Sequence, residues 1–139
     1  MTQAEVQALF DDYAAAFARA DVARICGHWA YPAYFSARGK RAALDEAAFR
    51  ANTETLCRFY AAQGVAAAAK SVLAVEELFT GLAFVRTADL LSGPDGETIA
   101  EWRHGYLLSE TADGLRIVMA MPEQELDAWQ RRGTPLGSW

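Results

Sequence analysis

Apolar residues recur every three to four positions through about the first 60 residues, then mostly every second position from about residue 66 onward. Val6, Leu9, Phe10, Tyr13 and Phe17 form one helical stripe, and Thr2 with Glu5 three residues later has capping-box spacing. Asp21 is placed to cap a second, short helix with Val22, Ile25, Cys26 and Trp29 inward, and Pro32 bars its continuation. Tyr34 to Arg38 reads as a short strand, Gly39-Lys40 as a turn, and Arg41 to Leu44 as the strand that pairs back. Asp45 caps a third helix striped by Phe49, Thr53, Leu56 and Tyr60, and Gly64 suits its left-handed end.

The second half alternates. Thr80-Gly81, Gly93-Pro94-Asp95-Gly96 and Asp113-Gly114 are turn signals between apolar runs, and they divide it into four strands. Helices followed by a strand meander predict an α+β domain, with the helices on one face of a mostly antiparallel sheet. Turn chemistry then assigns faces. Pro94-Asp95-Gly96 fits a three-residue hairpin loop in which Gly93 pairs with Glu97. Counting back from that pair sets Arg86 opposite His104, Phe84 opposite Tyr106 and Ala88 opposite Trp102. One face thus collects Phe84, Arg86, Leu90, Trp102, His104, Tyr106 and Leu108. Asp89, Glu101 and Arg103 fall on the other face, which reads as solvated or as a partner surface. A tight hairpin at Asp113-Gly114 adds Met119 and Met121 to the Trp102 face.

Composition changes this picture only at its edges. A chain of 139 residues predicts one domain, here residues 1–122, followed by a polar tail over 123–139. Glu123 to Arg131 has the pattern of one or two helical turns, and Gly133 to Trp139 reads as mobile. The 16 aromatics supply side chains large enough to fill or line an interior. No apolar run approaches the ~20 residues that span a bilayer. The start of the chain lacks the pattern of a signal peptide, so a cytoplasmic location is expected. The net charge of −5 and scattered basic residues argue against nucleic acid as a partner. Cys26 and Cys57 sit at apolar helical positions, as free buried thiols do. Nothing in the sequence has metal-ligand spacing or the form of a phosphate-binding loop, and no cofactor is expected.

The element order, the first helix running into Ala20-Asp21-Val22, and the closing hairpin Tyr106-Leu107-Leu108 with Asp113-Gly114-Leu115-Arg116-Ile117 resemble the nuclear transport factor 2-like superfamily. The likeness spans roughly residues 4–122 and is greatest to the SnoaL-like polyketide cyclase and ketosteroid isomerase branch. The resemblance implies a cystatin-like cone, in which a long curved sheet wraps three helices and a pocket opens between them. It also implies a homodimer, often through the outer sheet face. Tyr13 matches the catalytic tyrosine in the first helix of the steroid isomerases, which donates to a developing enolate oxygen. Where those enzymes carry an aspartate base, this chain has Ser36, Ala37 and Arg38. The region of their second oxyanion donor offers Phe84, Arg86 and Ala88, and the late strand that holds the cyclase aspartate reads Met119-Ala120-Met121.

The predicted chemistry therefore centres on His104 as base, with Tyr13 and Arg86 as oxyanion donors. Phe17, His28, Trp29, Tyr31, Tyr34, Phe84, Trp102, Tyr106, Met119 and Met121 are the candidate ligand contacts. The expected ligand is a small apolar carbonyl compound, and the expected reaction a proton transfer, dehydration or cyclisation. A non-catalytic small-molecule binder and a dimerisation module with a filled cone are the alternatives.

Overall fold

The computed structural model describes residues 1–137. Helix α1 (Gln3–Ala18) is capped by the Thr2 hydroxyl, which accepts from the Glu5 amide at 3.1 Å. Asp21 caps α2 (Val22–Gly27) by accepting from the Arg24 amide, and Asp45 caps α3 (Glu46–Ala62) by accepting from the Ala48 amide. Each cap satisfies an amide that the first helical turn would otherwise leave unpaired. Cys26 and Cys57 are both free and buried.

Six strands follow or interleave: β1 (Trp29–Ala37), β2 (Lys40–Leu44), β3 (Ala67–Phe79), β4 (Leu82–Ser92), β5 (Thr98–Thr111) and β6 (Gly114–Met121). They form one curved, open sheet in the order β2-β1-β6-β5-β4-β3, antiparallel except where β1 runs parallel to β6. The first strand begins at Trp29 and not at Tyr34, so Trp29 belongs to the sheet rather than to the second helix. Pro32 falls in the irregular stretch of its pairing with β6, where no ladder bond is interrupted.

Two bulges decide which side chains face the helices. The Gly93 amide donates to the Glu97 carbonyl at 2.9 Å, so the hairpin loop has the expected form. One residue later Ser92 pairs with Thr98 but Leu91 pairs with Ala100, which leaves Ile99 as an extra residue. The slip carries down the whole of β4. Thr87 lies opposite His104, Asp89 opposite Trp102, and Arg86 opposite Gly105. A one-residue shift turns every side chain of a strand over. Phe84 and Arg86 therefore lie on the outer face, and Val85, Thr87 and Asp89 lie inside, against the expected pairing. The second bulge, at Val118, does the same to β6: Leu108 pairs with Ile117 but Tyr106 with Ala120. Met119 and Met121 move to the outer face, and Tyr34, beside Met119 on β1, joins them there.

The main core packs α1 and α2 against the sheet through Val6, Phe10, Ile25, Trp29, Val85 and Leu108. Full burial of a side chain such as Phe10 contributes about 2 kcal/mol. A second cluster gathers Tyr60, Leu91, Ile99, Trp102 and Trp129. Its last member comes from α4 (Glu123–Arg132), the segment after Pro122, in which Trp129 is fully buried. Gly133, at φ 85°, ends this helix in the left-handed conformation. The Thr134 amide continues the wrap by donating to the Trp129 carbonyl at 3.1 Å. The expectation of mobility over Gly133 to Trp139 falls partly on Ser138 and Trp139, which lie outside the described residues. Among the described residues no helix is long and apolar enough to cross a membrane.

Candidate functional site

The space between the two clusters is a cavity of about 200 Å³. Tyr13 and Phe17 reach it from α1, Trp29 from β1, Phe59 and Tyr60 from α3, and Lys70 from β3. Asp89 from β4, Trp102, His104 and Tyr106 from β5, and Glu125 from α4 complete most of the wall.

Its polar floor is built across three strands. Lys70 sits on β3, the edge strand, which α1 clamps through one side chain: Gln7 Nε2 donates to the Lys70 carbonyl, and Gln7 Oε1 accepts from the Val72 amide, both at 2.8 Å. From there Lys70 Nζ reaches Asp89 Oδ2 at 2.5 Å and the Tyr106 hydroxyl oxygen at 2.8 Å. Thr87, two residues along the same face of β4, donates to Asp89 Oδ1 at 2.5 Å. Burial would raise the Asp89 carboxyl, but the Lys70 ammonium beside it pulls the other way, and the group lies below the usual carboxylate range. Asp89 is therefore an ionised acceptor with both oxygens engaged, although only 3% exposed.

His104 stacks on Tyr106, with centroids 4.4 Å apart and planes 8° from parallel. Its Nδ1 lies 3.1 Å from Trp102 Nε1 and 3.5 Å from Asp89 Oδ2. An indole N–H only donates, so the shorter contact requires a lone pair on Nδ1. The longer one would require a proton on the same atom. The shorter, better hydrogen bond assigns the proton to Nε2. That Nε2 is buried and has no partner among the described residues.

The remaining wall is aromatic. Trp29 Nε1 donates to the Tyr13 hydroxyl at 3.0 Å, and Tyr13 meets Phe17 edge to face at 5.1 Å. Burial pushes the Tyr13, Tyr60 and Tyr106 hydroxyls well above the ordinary tyrosine value, so all three keep their protons. At the α4 end, Tyr60 donates to Glu125 Oε2 at 2.5 Å and Trp129 Nε1 donates to the same oxygen at 3.2 Å. Among the described residues no group of three His, Cys, Asp or Glu side chains could hold a metal ion.

Of the residues singled out in the sequence, Tyr13, Phe17, Trp29, Trp102, His104 and Tyr106 share this cavity. Arg86, Phe84, Tyr34, Met119 and Met121 do not, because the two bulges place them on the outer face. Tyr31 donates to the Cys26 carbonyl at 2.8 Å and packs on Phe49 outside the cavity. His28 turns outward to Asp12. Lys70, Asp89, Tyr60 and Glu125, with Asn52 and Thr55, supply further polar lining that escaped the sequence reading. The usable signals were a lone lysine in the alanine run of β3 and a Trp129 spaced to share a helical face with Glu125 and Leu126.

Helices laid against a curved sheet, with a cavity between them, define the nuclear transport factor 2-like class of α+β cones. The chain belongs to the family described as NTF2-like protein (DUF6841), whose model matches residues 4–125. No curated protein matches it. Solved structures share the fold. An NTF-2 like protein of unknown function from Shewanella oneidensis superposes with a TM-score of 0.68 at 14% identity, over 87% of this chain and 98% of that one. An NTF2-like protein with a cystatin-like fold from Novosphingobium aromaticivorans gives 0.65 at 17% identity, over 86% and 79%. A ketosteroid isomerase-like protein from Erwinia carotovora atroseptica gives 0.61 at 20% identity, over 82% and 88%.

Proposed function

We propose that this protein binds a small, neutral carbonyl compound carrying a single ring, with the carbonyl oxygen on His104 Nε2–H. The observation that carries this reading is that nitrogen: a donor in a residue only 7% exposed, in the wall of a cavity, with no partner among the described residues. A buried donor left unpaired costs about 1–3 kcal/mol, which an acceptor on a ligand recovers. The Tyr13 hydroxyl, which accepts from Trp29 and keeps its own proton, is the second donor to the same oxygen.

Size sets the ligand class. A cavity of roughly 150 Å³ holds benzene, so about 200 Å³ suits one ring with a small substituent rather than a steroid. Electrostatics argue the same way. Asp89 does face the cavity from a middle strand, but Lys70 keeps it ionised, so it cannot act as the protonated oxyanion donor of a steroid isomerase. His104, with Nδ1 engaged by Trp102 and its proton on Nε2, is a donor in this state and not a base. Proton transfer, dehydration or cyclisation would need a base other than this pair. Binding with polarisation of the carbonyl is thus favoured over turnover.

Calorimetry with acetophenone and ethylbenzene tests the reading, since the two differ at the oxygen. Acetophenone should bind about tenfold or more tightly than ethylbenzene, and His104→Phe should remove most of the difference. Equal binding of the two, or no binding of acetophenone, would sink the proposal.

A second copy of the chain is the partner proposed for the outer face of β4, β5 and β6. Phe84 and Met121 close over Gly105 there, where an added Cβ would meet them at 3.3 and 3.4 Å, and Leu107 and Met119 lie alongside. Val85 and Thr87 are fully buried and contribute nothing to this face. Light scattering should give twice the 15.2 kDa chain mass, and a monomer at micromolar concentration would remove the dimer.

A further inference from the structure

The carboxyl of Glu125 is hard to explain as packing. The residue is only 5% exposed, and it lines the cavity from α4. A carboxylate offers about four acceptor positions on its two oxygens. Here both neighbouring donors, the Tyr60 O–H and the Trp129 N–H, converge on Oε2. Oε1 accepts no hydrogen bond among the described residues. The second oxygen is not among the buried unpaired atoms of the described residues, so it keeps open space beside it and room for a further donor. A structural role would be served by one oxygen alone.

Glu125 also shares its space with the floor of the cavity. Its charge is among those that raise the Tyr13, Tyr60 and Tyr106 hydroxyls, whose chief cause is burial. The cavity wall therefore carries a donor without a partner, His104 Nε2–H, and a carboxyl, Glu125, whose two protein donors both sit on Oε2.

We infer that Glu125 Oε1 is the second anchor of the ligand and that the site takes compounds bearing both a carbonyl and a hydroxyl, hydroxyaryl ketones or aldehydes being the class that fits. The inference rests on the carbonyl reading above and adds the hydroxyl to it. A phenol O–H donating to a carboxylate is a charge-assisted hydrogen bond, among the stronger kinds. The ring between the two substituents fills the aromatic space bounded by Phe17, Tyr60 and Trp102. The same carboxylate repels a carboxylate at that end of the ligand, so acids of similar shape are excluded.

Calorimetry on the full chain with acetophenone, 4-fluoroacetophenone and 4-hydroxyacetophenone decides the point. Fluorine nearly matches hydroxyl in size and has no proton to donate. The wild type should bind the hydroxy compound about tenfold or more tightly than the fluoro compound. Glu125→Gln keeps an oxygen for Tyr60 and Trp129. It should lose most of the hydroxyl advantage, read as the ratio of hydroxy to fluoro affinity within the variant. Equal wild-type affinity for the hydroxy and fluoro compounds overturns the inference, and it does so even if the variant folds poorly. An advantage that survives in Glu125→Gln overturns it too. If acetophenone itself fails to bind the wild type, the carbonyl reading falls and takes this inference with it. Binding of acetophenone without a hydroxyl preference removes the inference alone.

Discussion

Asp12 and His28 meet on the surface where α1 passes α2, and Asp89 and His104 meet at the floor of the cavity. The chain has two histidines, and each stands beside an aspartate. At the surface the His28 ring is 2.5 Å from Asp12, and Arg24 grips the same carboxylate with two hydrogen bonds at 2.7 and 2.9 Å. Water reaches all three side chains, and the cluster lies outside the cavity wall. In the cavity the order is reversed. Lysine takes the aspartate, tryptophan takes the histidine, and the histidine is left with a proton and nothing to give it to. Both carboxyls titrate below their ordinary range, yet for different reasons. Hydrogen bonds to Arg24 and His28 lower the first, and the second is lowered against the pull of its own burial. A perturbed carboxyl beside a histidine does not by itself mark a site. Burial and an unmatched partner do.

The largest effect should come from breaking the buried pair. Asp89→Asn leaves the nearly buried Lys70 ammonium without a counter-charge, and Lys70→Met does the same to the Asp89 carboxylate. Either change should cost about 3–5 kcal/mol, the range for orphaning one member of a buried ion pair. Replacing both, as Lys70→Met with Asp89→Asn, should recover at least half of the summed loss, because no charge is then left behind. Urea denaturation of the four proteins measures this. Additive losses in the double variant would mean that the two groups are not coupled, and the floor of the cavity would need another description.

How much of this was legible in the sequence follows from range. Thr2, Asp21 and Asp45 cap the helices they were expected to cap, because a cap is settled within four residues. The turns and the inward face of β5, with Trp102, His104 and Tyr106, are local in the same way. The face of β4 was not legible. It depends on one extra residue, Ile99, which is drawn inward with Ala100 to pack in the cluster around Trp129. That contact spans some thirty residues and involves a helix the composition presents as a polar tail. The cost was the site itself: Asp89 was read as solvated and Arg86 as catalytic, and the bulge exchanges their faces. Lys70 was hidden for a related reason. Its place inside depends on the pairing of β3 with β4, which inherits the same slip.

The smallest effect belongs to the surface pair, and its pH dependence separates it from the buried one. The Asp12 carboxyl, lowered by its hydrogen bonds to Arg24 and His28, titrates at about 2. An unfolded aspartate titrates near 3.9, as a rough reference. A carboxyl whose pKa is depressed by folding contributes stability that is complete above the unfolded value and is lost as pH falls through the folded one. The Asp12 contribution should therefore fade between about pH 4 and pH 2, while it is intact at neutral pH. Its size is modest. The Asp12 side chain is 31% exposed and Arg24 is 57% exposed, so screening holds the effect to about 1 kcal/mol or less. Asp12→Asn should lower stability by that amount at pH 6 and converge on the wild type by about pH 2. Added salt should shrink the gap further. Asp89, shielded from solvent, should show no such salt response. Urea midpoints at pH 6, 4, 3 and 2, each at low and high salt, give both curves. A gap of constant size across that range would show that Asp12 acts through packing and not through its charge, and the contrast between the two pairs would lose its surface member.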